Sequence, residues 1–168
     1  DTAVIKAGGT ALIPEMKMGL VEPEHLILLA NVDGMDAIKE KKDGLHIGAR
    51  ANLHDIKNDP VVKRAYKPFL EALNAVSAPG LHYQSTIGGN LCQNCRCINR
   101  NQSEFFRKIK GACFKQGGGL CHSGPGLKSC RSTYQGDLAP MLICLGAKIV
   151  VVSPRKEEKI SLAGLYSN

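Results

Sequence analysis

Six of the seven cysteines in this 168-residue chain lie close together, and thiolates at such a density can hold a metal. They are Cys92, Cys95, Cys97, Cys113, Cys121 and Cys130. Disulfides need an oxidising compartment, and the sequence carries no sign of export. Structural zinc sites usually combine two close cysteine pairs, whereas only one close group is present here. Widely spaced thiolates suit an iron–sulfur cluster, and the many neighbouring glycines favour that chemistry over the other two.

The positive charge of the chain lies in the same stretch. Residues 91–131, called the cysteine segment below, contain eight Lys and Arg and one acidic residue, Glu104, whereas charges balance elsewhere. The net charge of +7 therefore belongs to this segment and indicates an anionic partner. Because only three phenylalanines accompany the charge and no known nucleic-acid-binding motif is present, we expect no nucleic-acid partner.

Two glycine pairs could offer main-chain N–H groups to an anion. Gly8 and Gly9 follow a predicted strand, and Gly88 and Gly89 precede the cysteine segment. Glycine lets the backbone approach a ligand, so successive N–H groups can form a nest for phosphate oxygens. Two such loops could hold a pyrophosphate from both sides, although either pair alone is more typical of a plain turn. Neither pair has the spacing of a Rossmann dinucleotide motif.

Short strands and helices must position these loops. Alternating and helical apolar patterns predict strands at residues 3–7, 25–32, 45–51 and 147–153, and helices at residues 12–20, 62–76 and 138–145. Lys42-Asp43-Gly44 predicts a hairpin turn, and Asp137 is a candidate N-cap of the last helix. This loose alternation, with hairpins, predicts an α+β fold.

The composition is that of a globular domain, with 43% hydrophobic and 22% charged residues. No apolar run approaches the length of a membrane span. The first residues read as the middle of a strand and lack the features of a signal peptide. We therefore expect a cytoplasmic protein without a membrane span, represented here by a fragment of a longer polypeptide.

Three motifs in this order resemble the FAD-binding subunit of the molybdenum hydroxylases, the family that includes xanthine dehydrogenase and carbon monoxide dehydrogenase. They are Ala7-Gly8-Gly9-Thr10, Thr86-Ile87-Gly88-Gly89-Asn90-Leu91 and Asp137-x-x-Pro-x-x-x-x-Leu-Gly-Ala147. The resemblance implies a two-lobed α+β fold of the vanillyl-alcohol-oxidase and CO-dehydrogenase flavoprotein type, with FAD extended between the lobes. It implies a truncated first FAD-binding subdomain at residues 1–54 and a second at 55–168, which contains the insertion 91–131. The C-terminal domain of the family would be absent.

The resemblance also implies which residues contact FAD. The pyrophosphate would be wrapped by the main chain of Ile5, Lys6, Ala7, Gly8, Gly9, Thr10, Ala11 and Leu12. The second subdomain would contact it through Thr86, Ile87, Gly88, Gly89 and Asn90. Val76 stands where the family often packs on the cofactor, and Asp137 would accept a hydrogen bond from a sugar hydroxyl. Ala11 departs from the family, in which a polar or acidic residue often follows Gly-Gly-Thr.

The cysteine segment resembles the inserted loop of the flavin subunit of 4-hydroxybenzoyl-CoA reductases, which carries a [4Fe–4S] cluster. The resemblance implies that the metal ligands are Cys97, Cys113, Cys121 and Cys130. Cys95 remains a rival to Cys97, because either could supply one ligand from the close group. Cys92 is interpreted as a packing residue, and Cys144, in an apolar helix, as a buried core cysteine.

The implied function is electron transfer. The chain would be the flavin and iron–sulfur subunit of an oxidoreductase, with no catalytic residue of its own. We expect a hetero-oligomer with a molybdenum-cofactor subunit and a [2Fe–2S] subunit, and an acidic ferredoxin as electron donor for reductive dehydroxylation of an aromatic acyl-CoA. The alternatives are the flavin subunit of a xanthine- or aldehyde-dehydrogenase-type enzyme and a zinc-binding interaction module.

Overall fold

The computed structural model describes residues 2–166 and divides the chain into two compact units. Unit 1 joins the described part of Asp1–Asn31 to Cys92–Gln135, and unit 2 joins Val32–Leu91 to the described part of Gly136–Asn168. The two units do not coincide with the predicted flavin-binding subdomains, residues 1–54 and 55–168. The units are defined by contacts in the structure, and the subdomain boundary stays a prediction. Residues 1, 167 and 168 of those subdomains lie outside the described residues. By its contacts, the cysteine segment from Cys92 onward belongs with the N-terminal strand and helix.

Unit 1 begins with a strand, a helix and a second strand. These are β1 (Ala3–Lys6), α1 (Leu12–Lys17) and β2 (His25–Leu28). The strands pair in parallel, with Ile5 opposite Ile27, and the helix lies in the crossover that parallel pairing requires. The predicted strand 25–32 therefore ends early, and a 3₁₀ turn follows at Leu29–Asn31. One helix, α6 (Glu104–Lys110), lies within the cysteine segment, and Ser103 caps its first turn by accepting from Phe106 N–H.

Unit 2 contains two antiparallel hairpins and most of the helices. The hairpins are β3 (Ile38–Lys41) with β4 (Gly44–Ile47), and β5 (Lys148–Val152) with β6 (Glu157–Ser161). The helices are α2 (Leu53–Asn58), α3 (Pro60–Ala65), α4 (Lys67–Ala75), α5 (Ile87–Leu91) and α7 (Ala139–Cys144). Its core is built on fully buried Leu53, Ile56, Val62, Phe69, Leu73, Leu138 and Leu162.

Two helix predictions differ from the structure for identifiable reasons. Residues 62–76 were predicted as one helix but lie in two, α3 and α4, which are separated at Tyr66. Pro68 lacks an N–H group and its ring clashes with the preceding turn, so a continuous helix cannot form. Asp137 was wrongly predicted as an N-cap, since α7 begins at Ala139 and Leu138 takes the cap position. The hairpin turn at Lys42–Gly44 is confirmed. Within residues 2–166, no helix is long and apolar enough to cross a membrane.

Candidate cofactor sites

The first glycine loop connects β1 to α1. Gly9 has a φ of +78°, a left-handed conformation that favours glycine, and its C=O accepts a hydrogen bond from Ile13 N–H at 2.9 Å in the first turn of α1. Among residues 2–166, no acceptor is found for the main-chain N–H groups of Gly8 and Gly9. Two adjacent N–H groups without an internal partner are what an anion-binding nest requires.

Lys6 places a positive charge at this loop. Its Cε and Nζ lie 2.9 Å and 3.5 Å from the position that a Cβ would occupy on Gly9. A side chain at Gly9 would therefore displace the lysine, besides straining the backbone at positive φ. The loop combines N–H donors with an ammonium group, and this set of groups suits phosphate oxygens.

The second glycine loop differs from the first, because its N–H groups are already used. Each N–H group from residue 87 to residue 90 donates within unit 2: Ile87 to Ala51 O at 3.0 Å, Gly88 to Ala49 O at 2.8 Å, Gly89 to Thr86 Oγ1 at 3.2 Å, and Asn90 to Thr86 O at 2.9 Å. The expected nest of free N–H groups is therefore absent from residues 87–90. These hydrogen bonds instead form the first turn of α5 and connect it to residues 49–51 of unit 2.

The two glycines of this second loop have different surroundings. A Cβ on Gly88 would lie 2.7 Å from Ala49 O and 2.9 Å from Ala49 Cβ, so packing alone requires glycine there. Gly89 is exposed, and a Cβ on it would meet the Thr86 hydroxyl at 2.9 Å. Thr86 and Ile87 are each 6% exposed. The face of this loop that a ligand can approach therefore lies at Gly89.

The loop is joined to the start of α7. Asn90 Oδ1 accepts a hydrogen bond from Leu138 N–H at 3.1 Å, which brings the loop close to Asp137, whose side chain is exposed. Val76, by contrast, is 6% exposed and packs in the core of unit 2, so little of its side chain is left for a cofactor. The structure thus brings the loop and Asp137 together and directs the Val76 side chain inward.

One buried polar residue of unit 2 was missed in the sequence. His82 is 3% exposed, and its Nε2 lies 2.6 Å from Val76 O, which is a carbonyl acceptor, so that nitrogen carries the proton. The contact holds the end of α4, where Ser77 has a φ of +53°. The five histidines share no spacing that could have pointed to this role.

Four cysteines of unit 1 line one cavity, called the cysteine pocket below. They are Cys97, Cys113, Cys121 and Cys130, all half-buried free thiols. Cys92 and Cys95 are absent from the lining. In the described part of the chain, no three His, Cys, Asp or Glu side chains meet as ligands of one metal ion. A [4Fe–4S] cluster has a different requirement, since each iron takes one thiolate and the four ligands surround a larger body.

Hydrogen-bond donors point at two of these sulfurs. Ser132 Oγ lies 3.1 Å from Cys130 Sγ, the Ser132 N–H donates to the same sulfur at 3.5 Å, and the two contacts lower the pKa of the Cys130 thiol. Main-chain N–H groups of Ser123 and Arg131 lower the pKa of the Cys121 thiol in the same way. Both thiols are shifted towards the thiolate, which is the form that binds metal.

Two arginines of the cysteine segment hold it against α1. Arg100 is 5% exposed, lines the cysteine pocket, and places Nη1 3.5 Å from Glu15 Oε1 in α1. Arg107 Nη2 donates to Gly19 O at 2.6 Å, just beyond the end of α1. In the sequence, both arginines were recognisable only as part of the positive charge of the cysteine segment.

The outer face of α6 is apolar and basic. Phe105 and Ile109, one turn apart, are 75% and 70% exposed, and Ile98 nearby in the chain is 79% exposed. Lys108 lies on the same face and pairs with Glu104 at 2.6 Å. This face is therefore a candidate docking surface.

Cys144 was wrongly predicted to be buried. It is exposed, because α7 directs Ala139 and Leu142 into the core and Cys144 lies on another side of the helix. Its thiol lies outside the cysteine pocket.

A protein family and several known proteins resemble this chain. A family model described as the FAD binding domain in molybdopterin dehydrogenase matches residues 1–168. The aldehyde oxidoreductase FAD-binding subunit PaoB of Escherichia coli (strain K12) is 32% identical over 167 residues, which is 95% of this chain and 52% of the relative. The carbon monoxide dehydrogenase medium chain of Hydrogenophaga pseudoflava is 32% identical over 89 residues, which is 53% of this chain and 31% of the relative. This chain spans about half the length of the first of these relatives.

Solved structures share the fold. A chain of the carbon monoxide dehydrogenase from Hydrogenophaga pseudoflava that lacks the Mo-pyranopterin moiety superposes with a TM-score of 0.70 and 22% identity, over 98% of this chain and 44% of that chain. Quinoline 2-oxidoreductase from Pseudomonas putida 86 gives a TM-score of 0.65 and 22% identity, over 95% and 43%. The expected α+β architecture is confirmed.

Proposed function

We propose a function from the premise that this chain belongs to the family of FAD-binding domains of molybdopterin dehydrogenases. We infer that it holds FAD and passes electrons within a molybdenum-containing oxidoreductase. The first glycine loop carries this proposal, because two N–H groups with no acceptor among residues 2–166 lie close to the Lys6 ammonium. FAD would supply the redox chemistry, and the chain would supply the groups that bind it.

Candidate FAD contacts occur in both units, and each set is proposed from the geometry of its own unit. In unit 1, the N–H groups of Gly8 and Gly9 would donate to pyrophosphate oxygens, and Lys6 would neutralise their charge. In unit 2, the exposed carboxylate of Asp137 would accept a hydrogen bond from a sugar hydroxyl, and Gly89 would let the cofactor approach the backbone. No acid–base catalyst is needed among these groups, because substrate chemistry would take place on a separate subunit.

An experiment on Lys6 tests the flavin site. In the full-length protein freed of flavin, Lys6→Met is expected to weaken FAD binding about tenfold or more, as loss of one charge-assisted contact does. Lys39→Met, which removes an exposed lysine from β3, is the matched control and should leave the affinity unchanged. Equal affinities for FAD in wild-type protein and Lys6→Met would contradict the proposed role of the loop.

We also propose that the cysteine pocket holds a [4Fe–4S] cluster. The support is the donor set, since Cys97, Cys113, Cys121 and Cys130 line one cavity and hydrogen-bond donors face two of the sulfurs. Apolar Phe114 and Leu120 also line the cavity and would limit the access of water. Such a cluster would supply one-electron transfer. We also propose a cytoplasmic location, where cysteines stay reduced and can bind metal.

The outer face of α6 would receive the electron donor. We propose an acidic ferredoxin, because the cysteine segment carries the entire net charge of +7, and Lys108 borders the apolar Phe105 and Ile109. Opposite charge raises the rate of encounter, and exposed apolar side chains at the centre of the face would add contact area. Partner subunits carrying the molybdenum cofactor and [2Fe–2S] clusters would complete a hetero-oligomer.

Two directions of electron flow follow from different observations. The resemblance of the cysteine segment to the inserted loop of 4-hydroxybenzoyl-CoA reductases supports a reductase that removes a phenolic hydroxyl from an aromatic acyl-CoA, with electrons entering through the proposed cluster. The 32% identity to an aldehyde oxidoreductase subunit over 95% of the chain favours oxidation of an aldehyde or heterocycle. Anaerobic assays of the purified complex distinguish them: reduced ferredoxin would be consumed with the acyl-CoA in the first case, and an aldehyde would reduce the enzyme in the second.

A further inference from the structure

We infer that Arg100 is a positioning residue that couples the cysteine pocket to the helix behind the first glycine loop. The inference rests on the proposed FAD site for one of its readouts and on the geometry of unit 1 for the other. Arg100, Glu15 and the cysteine pocket all lie in unit 1.

The first observation is the burial of the ion pair. The Arg100 side chain is 6% exposed and that of Glu15 is 14% exposed, with Nη1 and Oε1 3.5 Å apart. A guanidinium removed from water to this extent needs a compensating charge, and Glu15 provides it from the first turn of α1. The same turn contains the hydrogen bond from Ile13 N–H to Gly9 O, so Glu15 and the glycine loop belong to one local structure.

The second observation is the place of Arg100 in the cysteine segment. The main-chain N–H groups of Arg100 and Asn101 both donate to Cys97 O, at 3.0 Å and 2.8 Å, and form the turn that follows Cys97. The Arg100 side chain also lines the cysteine pocket. The main chain of Arg100 therefore belongs to the turn after Cys97, and its side chain pairs with Glu15 on α1.

A second contact strengthens this attachment. Arg107 donates to Gly19 O at 2.6 Å and to Gln102 O at 2.5 Å, so the cysteine segment contacts α1 near its beginning and just beyond its end. A helix held in this way transmits a change in the Cys97 turn to the loop before it. A buried charge left unpaired at Arg100 or at Glu15 is expected to disturb both the thiols and the flavin loop.

The experiment uses the full-length protein in its complex and three variants, Arg100→Gln, Glu15→Gln and the double variant. In flavin-free protein, each single change should weaken FAD binding about tenfold, whereas the double variant should return to within about threefold of wild type, because no buried charge is left unpaired. Arg100→Lys, which keeps the charge, should restore part of the affinity. Arg64→Gln breaks the exposed Arg64–Glu40 pair of unit 2 and should change nothing.

A second readout does not depend on flavin. In metal-free protein, Glu15→Gln should accelerate labelling of Cys97 by iodoacetamide several-fold, although residue 15 lies on α1 and not in the pocket lining. A wild-type rate of Cys97 labelling in Glu15→Gln would overturn the inference. So would a double variant whose loss of FAD affinity equals the sum of the losses, in free energy, of the two single variants. Failure of wild-type protein to bind FAD would overturn the proposed function instead, and the labelling rate would still decide the role of Arg100.

Discussion

The side-chain oxygen of Asn90 accepts a hydrogen bond from the N–H of Leu138 at 3.1 Å, and this contact connects two motifs that lie far apart in the sequence. Leu138 is the residue before α7, so Asn90 satisfies a donor at the start of that helix from another part of unit 2. Asp137 therefore does not cap this helix, although the sequence predicted that it would. Its exposed carboxylate is placed close to the second glycine loop.

The division of roles between Asn90 and Asp137 can be tested by two substitutions. Asn90→Ala should lower the melting temperature by a few degrees, because one part-buried hydrogen bond contributes about 1 kcal/mol. It should also weaken FAD binding. Asp137→Asn should weaken FAD binding without a comparable change in the melting temperature. Calorimetry and flavin titration of both variants measure this, and a stability loss in Asp137→Asn as large as that in Asn90→Ala would contradict the assignment.

Gly9 offers a test with a matched control. Gly9 and Gly34 have nearly the same φ, +78° and +76°, so alanine strains the backbone equally at both positions. At Gly9 the added Cβ would lie 2.9 Å from Lys6 Cε and 3.2 Å from Ile13 Cγ1, whereas no atom of residues 2–166 lies within 4 Å of the corresponding position at Gly34. We expect Gly9→Ala to weaken FAD binding about tenfold or more and Gly34→Ala to leave it unchanged, as measured by flavin fluorescence. Equal effects would show that backbone strain alone is responsible.

The cysteine assignment predicts which thiols matter for iron. Cys113→Ser and Cys97→Ser should remove the cluster and leave FAD bound, because both residues line the cysteine pocket. Cys95→Ser and Cys144→Ser should keep the iron, since neither residue lines that pocket. Iron and acid-labile sulfide, determined on protein purified without oxygen, measure the difference. If Cys97→Ser kept its full iron content and Cys95→Ser lost iron, the fourth ligand would be Cys95 and not Cys97.

The docking surface predicts a dependence on ionic strength. Lys108→Gln should slow electron transfer from an acidic ferredoxin severalfold at low salt, and the difference from wild type should shrink as salt is raised. Lys57→Gln removes a lysine from the last turn of α2 in unit 2 and serves as the control. A wild-type rate that is the same at low and high salt would remove the electrostatic docking proposal.

Local chemistry explains what was predictable from the sequence. The hairpin at Lys42–Gly44 and the loop at Gly8–Gly9 follow from backbone preferences of the residues present. The apolar stripe from residue 62 to residue 76 predicted the burial of Val62, Phe69, Leu73 and Val76. It did not predict the interruption between the two helices, because apolar periodicity does not detect the missing N–H group of Pro68.

Contacts between residues distant in the chain were not predictable. The Arg100–Glu15 pair spans 85 positions, and no spacing rule connects its partners. The second glycine loop was expected to offer free N–H groups, but contacts with Ala49, Ala51 and Thr86 use these groups within unit 2. The burial of His82 and the exposure of Cys144 likewise depend on which side of a helix or turn faces the core.

The central claim is that one chain carries both FAD and a four-thiolate cluster. The most direct measurement compares the full-length protein and its Cys113→Ser variant, purified without oxygen in the complex, for FAD, iron, sulfide and zinc. We predict one FAD per chain in both proteins, and a difference of about four irons and four sulfides between them. Identical iron contents, or zinc in place of iron and flavin, would contradict the account.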